Sequence, residues 1–220
     1  MIRISAVLAV FVSTLSAQEP RPPVVDNDYV RVIDAIEKPH AKGKPHEHKV
    51  DRVMIYLEPF DQQITAGTKV ENHSWKAGEV VYTPASSTHV SENVSDKTGR
   101  IMEIELKPVT GVKPVDPGPL DPVKVDPKRY KVLFENDRVR ILRATYGPHD
   151  KGVLHEHTRD RVTVLLTPSN MQVTTPDGKM TVLSGPAGKA AWAGLARHVE
   201  YNAADSEFVI VVVEIKNRKA

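Results

Sequence analysis

The 220-residue chain has no cysteine. That excludes disulfides, thiolate metal sites and cysteine nucleophiles, and leaves imidazole and oxygen groups as the metal ligands the chain can offer. A long basic run is missing too. The 30 basic and 28 acidic residues nearly balance, giving a formal charge of +2, and nothing resembles the electrostatic footprint of a nucleic-acid binder. No Ser/His/Asp pattern sits on a strained nucleophile turn, and no Gly-rich strand-to-helix loop offers a phosphate cradle. Convincing amphipathic helices of ordinary length are also absent.

With 40% apolar and 26% charged residues, the chain can bury one large core or two small ones. Its first twenty residues place Arg3 ahead of an apolar run from Ile4 to Leu15 and end it in Ser16 and Ala17. This is the layout of a secretory signal peptide, too short for an ordinary membrane span and followed by no second one. Residues 1–17 are therefore expected to be removed, leaving a periplasmic or secreted protein without stable membrane insertion. An uncleaved amino-terminal anchor is the alternative.

A shift of 109 residues aligns the chain with itself. Asn27 meets Asn136, Arg31 meets Arg140, Gly43 meets Gly152, Asn93 meets Asn202 and Glu105 meets Glu214, with no net insertion. Eight of the nine histidines pair at this offset: His40 with His149, His46 with His155, His48 with His157 and His89 with His198. Only His73 lacks a counterpart. A repeat of this kind sets the architecture before any propensity does. The two copies are expected at residues 24–108 and 130–217. Between them, residues 109–129 carry Pro114, Pro117, Pro119, Pro122 and Pro127, a density that predicts a semi-rigid extended linker.

Each copy alternates in the manner of strands: "YVRVIDAI", "RVMIYLEP" and "RIMEIELK" in the first, "RVRILRAT", "RVTVLLTP" and "FVIVVVEIK" in the second. An all-β unit of antiparallel strands, a sandwich or small barrel, is predicted for each. In "PHEHK" and "LHEHT" the two-residue strand period puts His46 with His48, and His155 with His157, on one face, while Glu47 and Glu156 point away. Turn residues in "GEVVYTPASSTHVSEN" deliver His89 from a neighbouring strand. Three neutral imidazoles would suit a divalent Fe, Mn, Zn, Ni or Cu ion. The alternative is a set of hydrogen-bonded polar core histidines without an ion.

These residues resemble the cupin superfamily. Its first motif, Gly, five residues, His-x-His, then Glu after three or four residues, matches at His46 and His48 and again at His155 and His157. Its second motif matches at Gly78, Pro84, His89 and Asn93, with Ser86 in place of a glycine. The resemblance implies two tandem double-stranded β-helix, jelly-roll-like barrels, a bicupin, with a metal held by His46, His48 and His89 and by His155, His157 and His198. It also resembles small bacterial exported cupins of poorly defined activity. Departures are as informative. The family glutamate falls at Arg52 and Arg161, and the first-motif glycine falls at His40 and His149, where a turn role is favoured. In the second copy the same 109-residue shift sets Ala193 and Leu195 against Pro84 and Ser86.

Arg52 and Arg161 share strand parity with the histidines and are expected to reach inward, where they would bind an anionic substrate group. A β-bulge that turns Asp51 inward is the alternative. A guanidinium about 5 Å from a divalent ion is repelled by roughly 6–7 kcal/mol at an effective dielectric of about 20, so its charge is expected to be compensated by a carboxylate repeated in both copies, with Glu105 and Glu214 the candidates, or by an anionic substrate arriving with the metal. Tyr82, Trp75, Trp192 and Gln63 could line a pocket, and His73 is read as a solvent-facing hairpin residue without a role. The expected partner is a small oxygen-rich or anionic molecule, self-association being left open. Metal-dependent oxygenase, isomerase or lyase chemistry competes with a non-enzymatic small-ligand-binding module, for fold alone does not decide chemistry.

Overall fold

The structure, a computed structural model, describes residues 22–219; the expected signal segment lies outside them. Nine strands come first: β1 (Val25–Asp26), β2 (Val30–Glu37), β3 (His46–His48), β4 (Arg52–Glu58), β5 (Phe60–Ala66), β6 (Lys69–Trp75), β7 (Val80–Thr83), β8 (Ser86–Asn93) and β9 (Gly99–Leu106). They build a five-stranded sheet in the order β1-β2-β9-β4-β7 and a four-stranded sheet in the order β3-β8-β5-β6. After β10 (Val112–Pro114) and the one-turn helix α1 (Pro122–Val125), the pattern returns. Strands β11 (Tyr130–Glu135), β12 (Val139–Tyr146), β13 (His155–His157), β14 (Arg161–Leu165), β15 (Ser169–Thr174), β16 (Met180–Gly185), β17 (Ala190–Ala193), β18 (Ala196–Asn202) and β19 (Phe208–Ile215) follow, then β20 (Asn217–Lys219). Their sheets run β11-β12-β19-β14-β17 and β13-β18-β15-β16, so the second half repeats the first strand for strand. Each half is a double-stranded β-helix barrel.

Alternation along the strands explains how the halves meet. Val30, Val32, Val53, Ile55, Met102, Ile104 and Leu106 point out of the first five-stranded sheet and join Val139, Ile141, Val162, Val164, Val211, Val213 and Ile215 of the second in one buried cluster. The two large sheets therefore pack back to back, each buried Val or Ile contributing about 1.5–3 kcal/mol. Their opposite faces line the two lumens. Arg138 crosses the seam to Asp51 Oδ2 at 2.9 Å and to the Leu106 and Lys107 carbonyls at 2.9 and 3.0 Å.

The proline-rich stretch is docked along much of its length. Its β10 pairs with β20, Leu120 accepts from the Glu156 amide at 2.8 Å, and Asp121 holds Arg140 through two bonds of 2.9 and 2.7 Å. The stretch is not extended throughout, since Pro122 opens the one-turn helix α1 behind its cap Asp121, and paired edges and buried acids fix it to the second barrel.

Strand registers correct one detail of the repeat. Gln62 pairs with His73 in the first barrel and Met171 with Leu183 in the second, so the β15–β16 hairpin carries one extra residue. The first barrel regains it in β8, where a bulge sets His48 opposite Ser86 while His157 lies regularly opposite Ala196. Between these points the offset is 110. Gly188 thus takes the place of Gly78, both at φ 80°, and Thr83 corresponds to Ala193, which puts Gly194 rather than Ala193 in the place of Pro84. His40 and His149 occupy the left-handed region at φ 55° and 54°, the conformation a glycine adopts without steric cost. In each copy the imidazole Nε2 is tied to Asp96 or Asp205 at 2.8 Å.

Candidate metal centre

In the first barrel β3 and β8 bring His46, His48 and His89 together, with ring centroids 4.5–5.2 Å apart and one ring nitrogen of each within 4.8 Å of the others. The Lys44 carbonyl lies 2.8 Å from His46 Nδ1 and the Ser87 carbonyl 3.0 Å from His89 Nδ1. A carbonyl only accepts, so each Nδ1 carries the proton and each Nε2 keeps its lone pair, as a metal ligand requires. His48 differs. Arg52 Nη1 donates to its Nε2 at 2.8 Å and to Glu103 Oε1 at 3.1 Å. Burial, then the Arg52 charge and the two neighbouring imidazoles, push His48 down to about 3, keeping it neutral.

Around this trio the lumen is open. A cavity of about 410 Å³ is walled by Glu37, Met54, Gln62, Ile64, Ile101 and Glu103 together with the histidines. One side is a stack of rings: His73 lies on Trp75 at 4.8 Å, and Trp75 on Tyr56 at 3.9 Å. Trp75 Nε1 donates to Gln62 Oε1 at 2.9 Å, and Gln62 Nε2 donates to Ser91 Oγ at 2.8 Å, so the wall is fixed by hydrogen bonds as well.

In the second barrel β13 and β18 gather His155, His157 and His198 with centroids 4.7–5.5 Å apart. These residues are 0%, 3% and 6% exposed, whereas the first trio is half-buried. His155 Nδ1 donates to the Val153 carbonyl at 3.0 Å, again presenting Nε2. His157 Nδ1 and His198 Nε2 are buried without a hydrogen-bond partner. Burial, chiefly, lowers His157 to about 4 and lowers His155 as well. Beside them lies Glu200, which accepts from Tyr130 at 2.7 Å and Tyr146 at 2.5 Å through Oε2. Burial raises its carboxyl, but the adjoining His198 and His155 and the Tyr146 hydroxyl outweigh that and hold it below the usual carboxylate range.

Several expectations change here. Arg52 does turn into the first lumen, and Asp51 stays outside it, bonded by Tyr82 and Arg138. The carboxylate that meets Arg52 is Glu103, not Glu105, although Glu105 lies directly across the strands. Glu214 is taken by Arg140 at 2.8 Å and Arg159 at 3.2 Å, and its other oxygen lies 3.7 Å from His157 Nδ1. Arg161 instead donates to the Gly194 carbonyl. Trp75 lines the cavity, but Tyr82 stacks on Phe134 and Trp192 on Tyr29, away from either lumen, and Gln63 bonds Asn72 at the surface. His73, read as a role-less hairpin residue, faces the cavity from β6. Its place opposite Gln62 was the available signal. Glu103 and Glu200 carried strand parity that puts them inside, yet had no motif to single them out.

No family model and no curated protein matches the chain. Solved structures do. AerE from Microcystis aeruginosa superposes with a TM-score of 0.58 at 11% identity over 88% of this chain and 95% of that one. The oxalate decarboxylase of Bacillus subtilis gives 0.58 at 13% identity over 88% and 69%. A cupin 2 conserved barrel domain protein from Leptotrichia buccalis gives 0.54 at 11% identity over 87% and 86%. The chain has the cupin fold in its tandem, two-barrel form.

Proposed function

We propose that the chain is an exported bicupin that binds a divalent metal through three histidines in each barrel and acts on a small oxygen-rich or anionic molecule in the first lumen. The observation that carries it is the orientation of the rings: His46, His89 and His155 each tie Nδ1 to a backbone carbonyl, which leaves Nε2 as the nitrogen available to a ligand, that of His155 lying 3.3 Å from the Tyr130 hydroxyl. Neutral imidazoles with a fixed tautomer are what a borderline divalent ion takes. Manganese(II) centres are named for the Bacillus oxalate decarboxylase, which is consistent with such an ion on this fold.

When bound, the ion would act as a Lewis acid toward an oxygen of the ligand. The chain's own groups do the rest. Glu103 neutralises Arg52, the ring stack of His73, Trp75 and Tyr56 gives a flat wall, and Gln62 and Ser91 orient polar atoms of a guest. Arg52 is the cation that lines the first lumen, and its counterpart Arg161 is buried in the closed second barrel. Export rests on the leader-like residues 1–17, and intact mass of secreted protein tests it.

A second reading is favoured by one contact. Because Arg52 occupies His48 Nε2, the first barrel can serve as a metal-free pocket for a small ligand, without catalysis. Metal content of the native protein separates the two: His48→Ala should remove one equivalent of bound metal and His157→Ala the other. If neither variant changes metal content, the metal-free module is the better account.

A further inference from the structure

The metal-binding reading leaves the second barrel short of an anion, since the position that carries glutamate in the cupin motif is Arg161. We propose that Glu200, on a different strand from that position, supplies the missing carboxylate as the fourth protein ligand of the second barrel's metal site. It follows His198 by two residues on β18 and so shares its face. One carboxylate oxygen, Oε1, lies 3.5 Å from His198 Nε2, and Oε2 lies 3.9 Å from His155 Nε2. Two ligands on one ion stand about 3–3.5 Å apart when each bond is about 2.0–2.2 Å, so the Oε1–His198 separation already fits, and the carboxylate has to close toward the other two rings, which group within 4.8 Å without it.

The carboxylate is also held as a ligand is held. Tyr130 and Tyr146 both donate to Oε2, and among the described residues no hydroxyl or amide donates to Oε1. That leaves Oε1 free on the side of His198, whose Nε2 is itself buried and unpartnered. A buried ring nitrogen with no hydrogen-bond partner, 3.5 Å from a carboxylate oxygen, is an arrangement that a bound cation would complete. In the first barrel the equivalent residue is Ser91, bonded to Gln62, and the carboxylate nearest the trio is Glu103, 3.6 Å from His48 Nδ1 and shared with Arg52. The second barrel's set of three imidazoles and one carboxylate, closed from solvent, is the donor set of a permanently held ion rather than an exchanging one.

Zinc(II) added alone to the chelator-stripped mature protein provides the test, with affinity read by chelator competition and stoichiometry by elemental analysis. Glu200→Gln keeps an oxygen for the two tyrosines but loses the charge; it is expected to weaken one site by at least about tenfold, equal to about 1.4 kcal/mol, and to leave the other unchanged. If Glu200→Gln binds like the parent while His157→Ala loses a site, the role of Glu200 is overturned and the metal reading stands. If neither variant alters zinc binding, the metal reading itself fails. Anomalous diffraction from parent crystals grown with zinc does not depend on a variant folding. An ion with Oε1 at about 2.0–2.2 Å supports the assignment, and an ion held by the three histidines alone overturns it.

Discussion

The two barrels share a strand plan and a histidine trio, yet one lumen is hollow and the other is filled. Strand register pairs Glu37 of the first with Tyr146 of the second, Gln62 with Met171, His73 with Leu183, and Ser91 with Glu200. Each of those four exchanges replaces a polar side chain by a bulkier or more apolar one, and Tyr146 and Met171 are fully buried beside Tyr130, Leu165 and Phe208. Imidazole geometry therefore persisted while access diverged. A small molecule can reach the first trio through its cavity; the second trio is sealed by the side chains that replaced that space. Of the two lumens, the first has the room for a guest.

The largest expected effect tests that filling. Tyr146→Ala should cost about 3–5 kcal/mol, since it empties a large buried volume and frees the Glu200 carboxylate. At the equivalent place in the hollow barrel, Glu37 is half-buried, its carboxyl is raised by burial, and Glu37→Ala should change stability by less than about 1 kcal/mol. Urea denaturation of both variants checks it, and equal costs would break the comparison. Next in size is the Arg52 contact. Arg52→Glu releases His48 Nε2 and exchanges a cation for a potential ligand, so first-barrel metal affinity should rise at least about tenfold, or about 1.4 kcal/mol. It is best measured in a His157→Ala background, which isolates the first site. Unchanged affinity there would show that Arg52 does not restrain His48.

What could be read from the sequence follows from burial. The six stretches that alternate visibly, "RVMIYLEP" and "FVIVVVEIK" among them, became β2, β4, β9, β12, β14 and β19, the inner strands of the two large sheets. Their outward faces form the shared apolar core, so alternation is enforced by a large transfer energy. Strands β5, β6 and β8 gave almost no signal, because Gln62, Asn72, His73 and Ser91 face a polar cavity or solvent and nothing forces an apolar period on them. For the same reason the histidine trios were legible through motif spacing, but the Arg52–Glu103 pair and Glu200 were not: diagonal and next-but-one neighbours depend on side-chain direction, which spacing does not carry. The one-residue bulge in β8 and the compensating hairpin residue cancelled in the alignment and became visible only through register.

The smallest effect is expected where the barrels are tied unequally at the seam. Asp51 of the first barrel accepts from Tyr82 at 2.7 Å, from the Ala85 amide at 3.0 Å and from Arg138 of the second at 2.9 Å. Its counterpart Asp160 is bonded by Arg218, at 3.2 Å, within its own half. The Tyr82 bond first, with Ala85 and Arg138 adding to it against a burial penalty, holds the Asp51 carboxyl below the usual carboxylate range. With the folded value depressed, the unfolded chain takes up the proton first. The stabilisation is then complete above the unfolded value of about 3.9 and is lost as pH falls through the folded one. Asp51→Asn should cost about 1 kcal/mol near neutrality, the lower end for a charged hydrogen bond because the group is partly exposed. Below about pH 4 the variant should lose stability less steeply than the parent, since it has no proton to gain at that position. Thermal midpoints across the acid range read both quantities. Parallel acid limbs for parent and variant would mean that the Asp51 charge adds nothing to the seam, leaving Arg138 to its bonds with the Leu106 and Lys107 carbonyls.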